Sequence, residues 1–276
     1  QQICTVVSGD NLQILTTDGE WAISSKPLTP SSVDIKQHTS VGSYSSGCLM
    51  PQKIENATVF VSASGCDIRE LGLDELGENY NANDLCAFAK HLMTTPIDIA
   101  YNQDTHQLFV VRDDGKMAVL NQSQSLGISA WGTYVTDGKF ISVGVCDGIT
   151  YTVTQRGNSV FLEYFDDNAL TDAGGYNFSF TASGLPLRSS GHSASRIKVR
   201  KISARVLNTK SVYINQHRMT LPDYVYNNNS SGYSGDVSLN QLGTMQNTIE
   251  PLWKIHGDEP LCTTVLSVTV YGWYTV

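Results

Sequence analysis

Charge is scarce in this sequence. Only 16% of its 276 residues are Asp, Glu, Lys or Arg, against roughly 25% in an average soluble domain. That scarcity argues against a coiled coil and against an intrinsically disordered chain, both of which depend on charged residues. No apolar run approaches 18 residues, so nothing reads as a membrane-spanning helix. The six cysteines (4, 48, 66, 86, 146, 262) include no CxxC pair, which argues against a zinc site. Scattered single cysteines read as free thiols of a reducing compartment, with a disulfide framework as the alternative. No signal peptide is visible. The chain begins at Gln1 rather than Met and reads as a processed or truncated piece of a longer protein.

What is abundant is uncharged and polar: 29 Ser, 24 Thr and 23 Gly, with 13 Tyr and 9% aromatics. These residues favour turns and strands over helix interiors. The composition therefore predicts an all-β protein of many short strands, in one large or two smaller domains. Paired runs bracket Gly turns at four places. Residues 12–16 and 20–24 flank Thr17-Asp18-Gly19; 58–63 and 66–71 flank Ser64-Gly65. Residues 107–112 and 116–120 flank Asp113-Asp114-Gly115; 149–155 and 159–164 flank Arg156-Gly157-Asn158. Each reads as a hairpin. The turn glycines 19, 65, 115 and 157 recur every 40–50 residues, the period of propeller blades. A propeller-like repeat is expected over residues 1–180, as a whole or a partial ring; an evenly spaced sandwich is the competing arrangement. A further hairpin at Asp137-Gly138 would supply outer strands.

One short helix is expected after Asn83 or Asp84, with Leu85, Phe88, Ala89 and Leu92 on its apolar face and Pro96 ending it. His91 in its last turn reads as structural. Residues 168–195 are rich in Gly, Ser and Asn and hold the expected domain boundary, with a brief strand at Phe178 and Phe180. Residues 181–276 read as a small β-sandwich or a sheet that completes a larger assembly. Its elements are a strand at 196–200, another at 212–215, a polar loop at 227–235 and a strong strand at 263–274. The two parts differ in sign. Residues 1–180 hold 9 Lys and Arg against 21 Asp and Glu, a net of −12; residues 181–276 hold 9 against 5, a net of +4. The whole chain is at −8, which disfavours a dedicated nucleic-acid binder.

Catalytic signatures are missing. There is no GxSxG elbow, HExxH, P-loop or GxGxxG. The histidines 38, 91, 106, 192, 217 and 256 show no metal-ligand spacing. Asp113-Asp114 and Asp166-Asp167 are adjacent carboxylates whose side chains point apart. Thr17-Asp18-Gly19-Glu20-Trp21 resembles a fragment of the Asp-box turn of sialidase-like propellers, where Asp binds its own loop and Trp packs between strands. Sequons at Asn56, Asn121 and Asn177 are the chance matches expected of this composition. No enzymatic activity, catalytic residue, metal site or cofactor is expected. Arg196, Lys198, Arg200, Lys201 and Arg205 form the only positive cluster and are the candidate interface. It reads as a solvated face, a dock for an acidic neighbour or a phosphate contact. The aromatic interleaving that single-strand stacking requires is absent.

The order of short motifs resembles the C-terminal part of the podovirus tail nozzle, tubular tail or DNA-stabilisation family. The resemblance runs from the 12–21 hairpin and Leu28-Thr29-Pro30 through Gly42-Ser43, Pro51, Val59-Phe60-Val61 and Arg69-Glu70-Leu71. It continues with Asp84-Leu85, Ala89, His91-Leu92, Asp114-Gly115, Ala130-Trp131, Thr136-Asp137-Gly138, Ser142-Val143, Arg156-Gly157 and Leu162-Glu163. It ends at Tyr233-Ser234-Gly235-Asp236 and residues 260–268. It implies a structural virion protein, assembled in the host cytoplasm into a six-fold homo-oligomeric ring below a tail adaptor. Such a ring closes the channel and then conducts double-stranded DNA during ejection, without binding it specifically and without a membrane span. An acidic inner wall would suit that passage, because a basic one would hold DNA through counterion release. The competing expectation is a propeller-type glycan-binding protein or glycosidase of a tail, in which Trp21, Trp131, Trp253 or Trp273 stacks on sugar.

Overall fold

The computed structural model describes residues 1–9, 11–24, 29–44, 49–74, 77, 79–123, 128–166, 179–184, 196–221, 232–240, 245–247, 251–259 and 261–275. The protein is all-β and forms two compact units, Gln1–Asp167 and Asn168–Val276.

The first unit is a propeller-like succession of antiparallel meanders. The first sheet holds β1 (Ile3–Ser8), β2 (Leu12–Thr16), β3 (Gly19–Ile23) and β4 (Ile35–Thr39). The second holds β5 (Gln52–Ile54), β6 (Ala57–Val61), β7 (Ile68–Leu73) and β8 (Tyr80–Asp84). The third holds β9 (Pro96–Asn102), β10 (Gln107–Arg112), β11 (Met117–Ser123) and β12 (Ile128–Tyr134). The fourth holds β13 (Lys139–Cys146), β14 (Ile149–Arg156) and β15 (Ser159–Tyr164). The four sequence hairpins are β2–β3, β6–β7, β10–β11 and β14–β15. Gly115 shows why one such turn needs glycine. Its φ is +82°, and an added Cβ would lie 2.6 Å from the Lys139 side chain.

Alternation along the strands explains how successive sheets pack. In β6, Val59 and Val61 join Leu108, Val110, Ala118 and Leu120 of the third sheet. Phe60, between them, joins Leu15 and Ala22 of the first sheet. In the third sheet, Phe109, Val111, Met117 and Val119 turn the other way and meet Phe140 and Val143 of the fourth. The second and third sheets are thus covered on both faces, which is why their strands read as unbroken apolar runs. Burial of each large aliphatic side chain stabilises by about 1.5–3 kcal/mol. Polar ties cross the same junctions. Gln122 donates to Glu70 at 3.1 Å, Trp131 Nε1 donates to the Leu85 carbonyl at 2.8 Å, and Asn102 donates to the Gly148 carbonyl at 2.8 Å. Among the described residues, the end sheets lack such cover on their outer faces. Val160, Leu162 and Tyr164 of β15 stand exposed at one end, and Val6 and Ile35 at the other.

Two local expectations are corrected. The helix after Asp84 is a single 3-10 turn, Lys90–Leu92. Arg69 and Asp84 pair across β7 and β8, and the Asp84 carboxylate accepts the Cys86 N–H at 2.8 Å. The would-be cap is therefore fixed in a strand. Phe88 is 93% exposed, while Cys86 and Met93 fill the core. The turn at Asp137-Gly138 does not close a hairpin. It carries the chain from β12 in the third sheet to β13 in the fourth.

The second unit encloses one core between two sheets. One sheet is β16 (Phe180–Ser183), β22 (Lys254–Gly257), β18 (Tyr213–Ile214) and β19 (His217–Arg218). The other centres on β17 (Arg196–Thr209), paired with β20 (Tyr233–Asn240), β21 (Met245–Asn247) and β23 (Thr264–Thr275). Val199, Ile202, Ala204, Val206 and Val237 of the second sheet meet Ile214 and Ile255 of the first. Phe180 pairs within this unit. Residues 168–178 and 222–231, including most of the expected 227–235 loop, lie outside the described residues.

Candidate functional site

The positive cluster lies on β17, and the way that strand is built decides where each charge points. Val199 and Ile202 are both buried, so the ladder cannot alternate simply between them. A bulge at Arg200 takes up the extra residue. Gly272 permits it, since a Cβ there would sit 2.4 Å from the Lys198 carbonyl oxygen. The bulge leaves Arg200 and Lys201 together on the outer side, with Lys198 before them and Ser203 and Arg205 after. Arg196 pairs with Thr275 in the ladder, but its side chain lies outside the described residues.

Neighbouring strands complete this face. Register places Trp273 opposite Lys198, Tyr271 opposite Lys201, Thr269 opposite Ser203 and Ser267 opposite Arg205. On the other side, β20 sets Asn240, Ser238 and Asp236 opposite Lys201, Ser203 and Arg205. Trp273 and Tyr271 are each 51% exposed. The Lys201 ammonium lies 5.5 Å from the centre of the Tyr271 ring, a cation–π contact. Arg205 grips Asp236 with two bonds, Nε to Oδ1 at 2.8 Å and Nη2 to Oδ2 at 3.2 Å. That fork holds the Asp236 carboxyl below the usual carboxylate range and raises the Arg205 guanidinium. Among the described residues, Lys198 and Arg200 have no carboxylate partner.

The expectation that aromatic residues are absent from this cluster is corrected: β23 sets Trp273 and Tyr271 beside Lys198 and Lys201. The signal was present in the alternation of residues 263–274, which sets Tyr271 and Trp273 on one face. What the sequence did not reveal was the pairing of that strand with β17. The other three tryptophans are packed. Trp131 donates its Nε1–H to Leu85, Trp253 lies against the core and Gly184, and Trp21 is half-buried in the first sheet.

Elsewhere the titratable groups hold structure together. Asp67 and Asp84 share Arg69 and Lys90, at 3.6–3.8 Å. Asp114 holds the buried Arg112 at 2.5 Å, and Asp167 lies outside the described residues. In the Asp-box-like turn, Asp18 faces the amino terminus at 3.7 Å. The buried carboxylate is instead Glu20, which accepts from Thr39 and Ser43. His38 accepts the Tyr80 N–H at 3.1 Å, and burial lowers its pKa. A cleft beside it, lined by Glu20, Trp21, His38 and Tyr80, is too narrow for a water molecule. Cys4, Cys66, Cys86, Cys146 and Cys262 are free thiols; Cys48 lies outside the described residues. No group of three or more His, Cys, Asp or Glu with metal-ligand geometry occurs among the described residues, and no helix there is long and apolar enough to cross a membrane.

No protein-family model matches the chain, and no curated protein matches it. Solved structures of the exo-beta-1,3-galactanase of Phanerochaete chrysosporium do match. The form with galactose has a TM-score of 0.32 and 10% identity, over 96% of this chain and 80% of that one. A variant with beta-1,3-galactotriose has a TM-score of 0.29, again with 10% identity and the same coverage. These matches are to an enzyme, so the expectation that the chain is not an enzyme is withdrawn. At that identity and TM-score, the likeness carries no activity, substrate or site over to this chain.

Proposed function

We propose that this chain is a structural subunit of a short phage tail, of the nozzle type that its ordered motifs resemble. In that role several copies form a ring beneath a tail adaptor, closing and then conducting the genome. The observation that carries this reading is the apolar outer face at each end of the four-sheet array. Leu162 is 73% exposed, with Val160 and Tyr164 beside it, and Val6 and Ile35 stand exposed on the first sheet. Exposed apolar surface of this kind marks contact sites in assemblies. Native mass spectrometry of the chain co-expressed with the adaptor from the same genome tests the reading. Six copies bound to the adaptor are expected, and the chain is expected among the proteins of purified virions. Absence from the virion together with no adaptor complex overturns it.

A second reading is favoured by a separate observation. Trp273 and Tyr271 stand exposed on a sheet face with Lys198, Arg200 and Lys201. This arrangement suits a glycan-binding protein of a tail, since an exposed aromatic ring offers an apolar platform with polar neighbours. A glycan array probed with the whole chain tests it: saturable retention supports the reading, and no retention on any glycan refutes it.

A further inference from the structure

The outer face of the β17 sheet has a definite chemical character. Among the described residues, four cations, Lys198, Arg200, Lys201 and Arg205, stand against one carboxylate, Asp236, which Arg205 already holds. This positive face belongs to a chain of net charge −8. Tyr271 and Trp273 are two residues apart on β23, so their rings lie on the same side, about 7 Å apart along the strand. Beyond Tyr271 run Ser203, Ser238 and Thr269, and Asn240 flanks Lys201, all short hydroxyl or amide side chains.

We propose that this face binds an acidic glycan, its sugar rings lying on Trp273 and Tyr271 and its acid groups meeting Lys198, Arg200 and Lys201. The inference rests on the second reading above and names its site and ligand class. Three features choose this occupant. Stacking platforms require a ligand with flat or ring-shaped faces. Cations without carboxylate partners require anionic groups, which form the stronger, charge-assisted hydrogen bonds. The hydroxyl and amide carpet supplies both donors and acceptors, as a polyhydroxyl ligand needs. A nucleic acid would satisfy the first two. The third feature favours the glycan, because each sugar ring brings several hydroxyl groups to the Ser203, Ser238, Thr269 and Asn240 side chains.

The test titrates the whole 276-residue chain with three probes: a polygalacturonate oligomer, neutral dextran and a 20-residue oligothymidylate. Tryptophan fluorescence and calorimetry are the readouts. Saturable binding of polygalacturonate, weakening as salt rises, is expected, with dextran bound at least tenfold more weakly. Trp273→Ala and the pair Lys198→Glu, Lys201→Glu should each weaken polygalacturonate at least tenfold, about 1.4 kcal/mol. Trp273→Phe should retain most of the binding. All these positions are on the solvent side of the sheet, and a circular dichroism melt confirms that each variant is folded. Oligothymidylate binding tighter than polygalacturonate overturns the proposal in favour of nucleic acid. A chain that pairs with a second copy through Trp273, and binds no probe, overturns it in favour of a protein contact. If a glycan binds but Trp273→Ala leaves its affinity unchanged, the proposed face is refuted while the glycan-binding reading stands. If no glycan binds at all, both fail.

Discussion

Replacing Asn102 with Ala removes a junction between two sheets without removing apolar surface. Asn102 ends β9 in the third sheet and is 2% exposed. Its Nδ2 donates to the Gly148 carbonyl at 2.8 Å and to Thr150 Oγ1 at 2.9 Å, both in the fourth sheet. Its Oδ1 accepts the Asp104 N–H at 3.0 Å and so shapes the turn into β10. Each bond contributes about 0.5–1.5 kcal/mol net, and the buried partners left behind add to the loss, so about 2–4 kcal/mol is expected. For a unit of this size the melting transition should fall by roughly 4–16 °C, at about 2–4 °C per kcal/mol. Urea unfolding gives the free energy directly. Hydrogen exchange should place the loosening in residues 139–156. Asn102→Asp sharpens the test, because an ionised carboxylate cannot donate to Gly148. Its folded pKa should be raised above the unfolded value of about 3.9. The associated stability is then present below that value and lost as pH rises through the folded pKa, so this variant should be more stable at pH 4 than at pH 7 relative to the parent. An Asn102→Ala loss under 0.5 kcal/mol, or exchange raised evenly over the whole unit, would refute the reasoning.

Burial pushes the Cys86 thiol up to about 12, so it should resist alkylation at pH 8 in the folded protein while exposed Cys66, Cys146 and Cys262 react. Labelling of Cys86 at their rate, read by peptide mass spectrometry, would count against that packing. Asp236 has its folded pKa lowered by the bonds from Arg205. Its contribution is therefore present above the unfolded value and lost as pH falls through the folded one. Arg205→Gln should move the carboxyl titration upward, as followed by NMR, and an unmoved titration would deny the fork. Phe109→Ala should cost about 3–5 kcal/mol by opening a cavity between the third and fourth sheets, measurable by denaturant titration. Leu162→Ser should leave monomer stability within about 0.5 kcal/mol, since that side chain is already in water. The same variant should weaken assembly with the adaptor, and undiminished assembly in native mass spectra would remove the outer face from that contact.

The hairpins were legible because they are local. A Gly turn and the alternation on either side lie within about a dozen residues, and both are set by backbone sterics and by which face meets water. The same reasoning failed at residues 83–92, where helical spacing was present but long-range pairing won. Asp84 had a strand partner in Arg69 and two cations to hold, and a cap position could not compete with those contacts. The connection at Asp137-Gly138 failed for a related reason. Turn chemistry states that the chain reverses, but not whether the flanking strands share a sheet.

The candidate face shows the same division. Alternation at 196–200 and at 263–274 was readable, and so was the basic character of the first strand. That Lys198 meets Trp273 and Lys201 meets Tyr271 depends on pairing strands some 70 residues apart, and on a bulge that shifts the alternation at Arg200. The sequence by itself determined an all-β chain of Gly-punctuated hairpins, low in charge and split in sign, because turn geometry and side-chain period act over a few residues. Only the tertiary structure decided which sheets are covered on both faces, which end faces stand open, and which aromatic rings lie beside the cations. Those outcomes follow from sheet-on-sheet packing, through Phe60, Val61 and Phe109 in the first unit and Val199, Ile202 and Val206 in the second, and packing has no local signature.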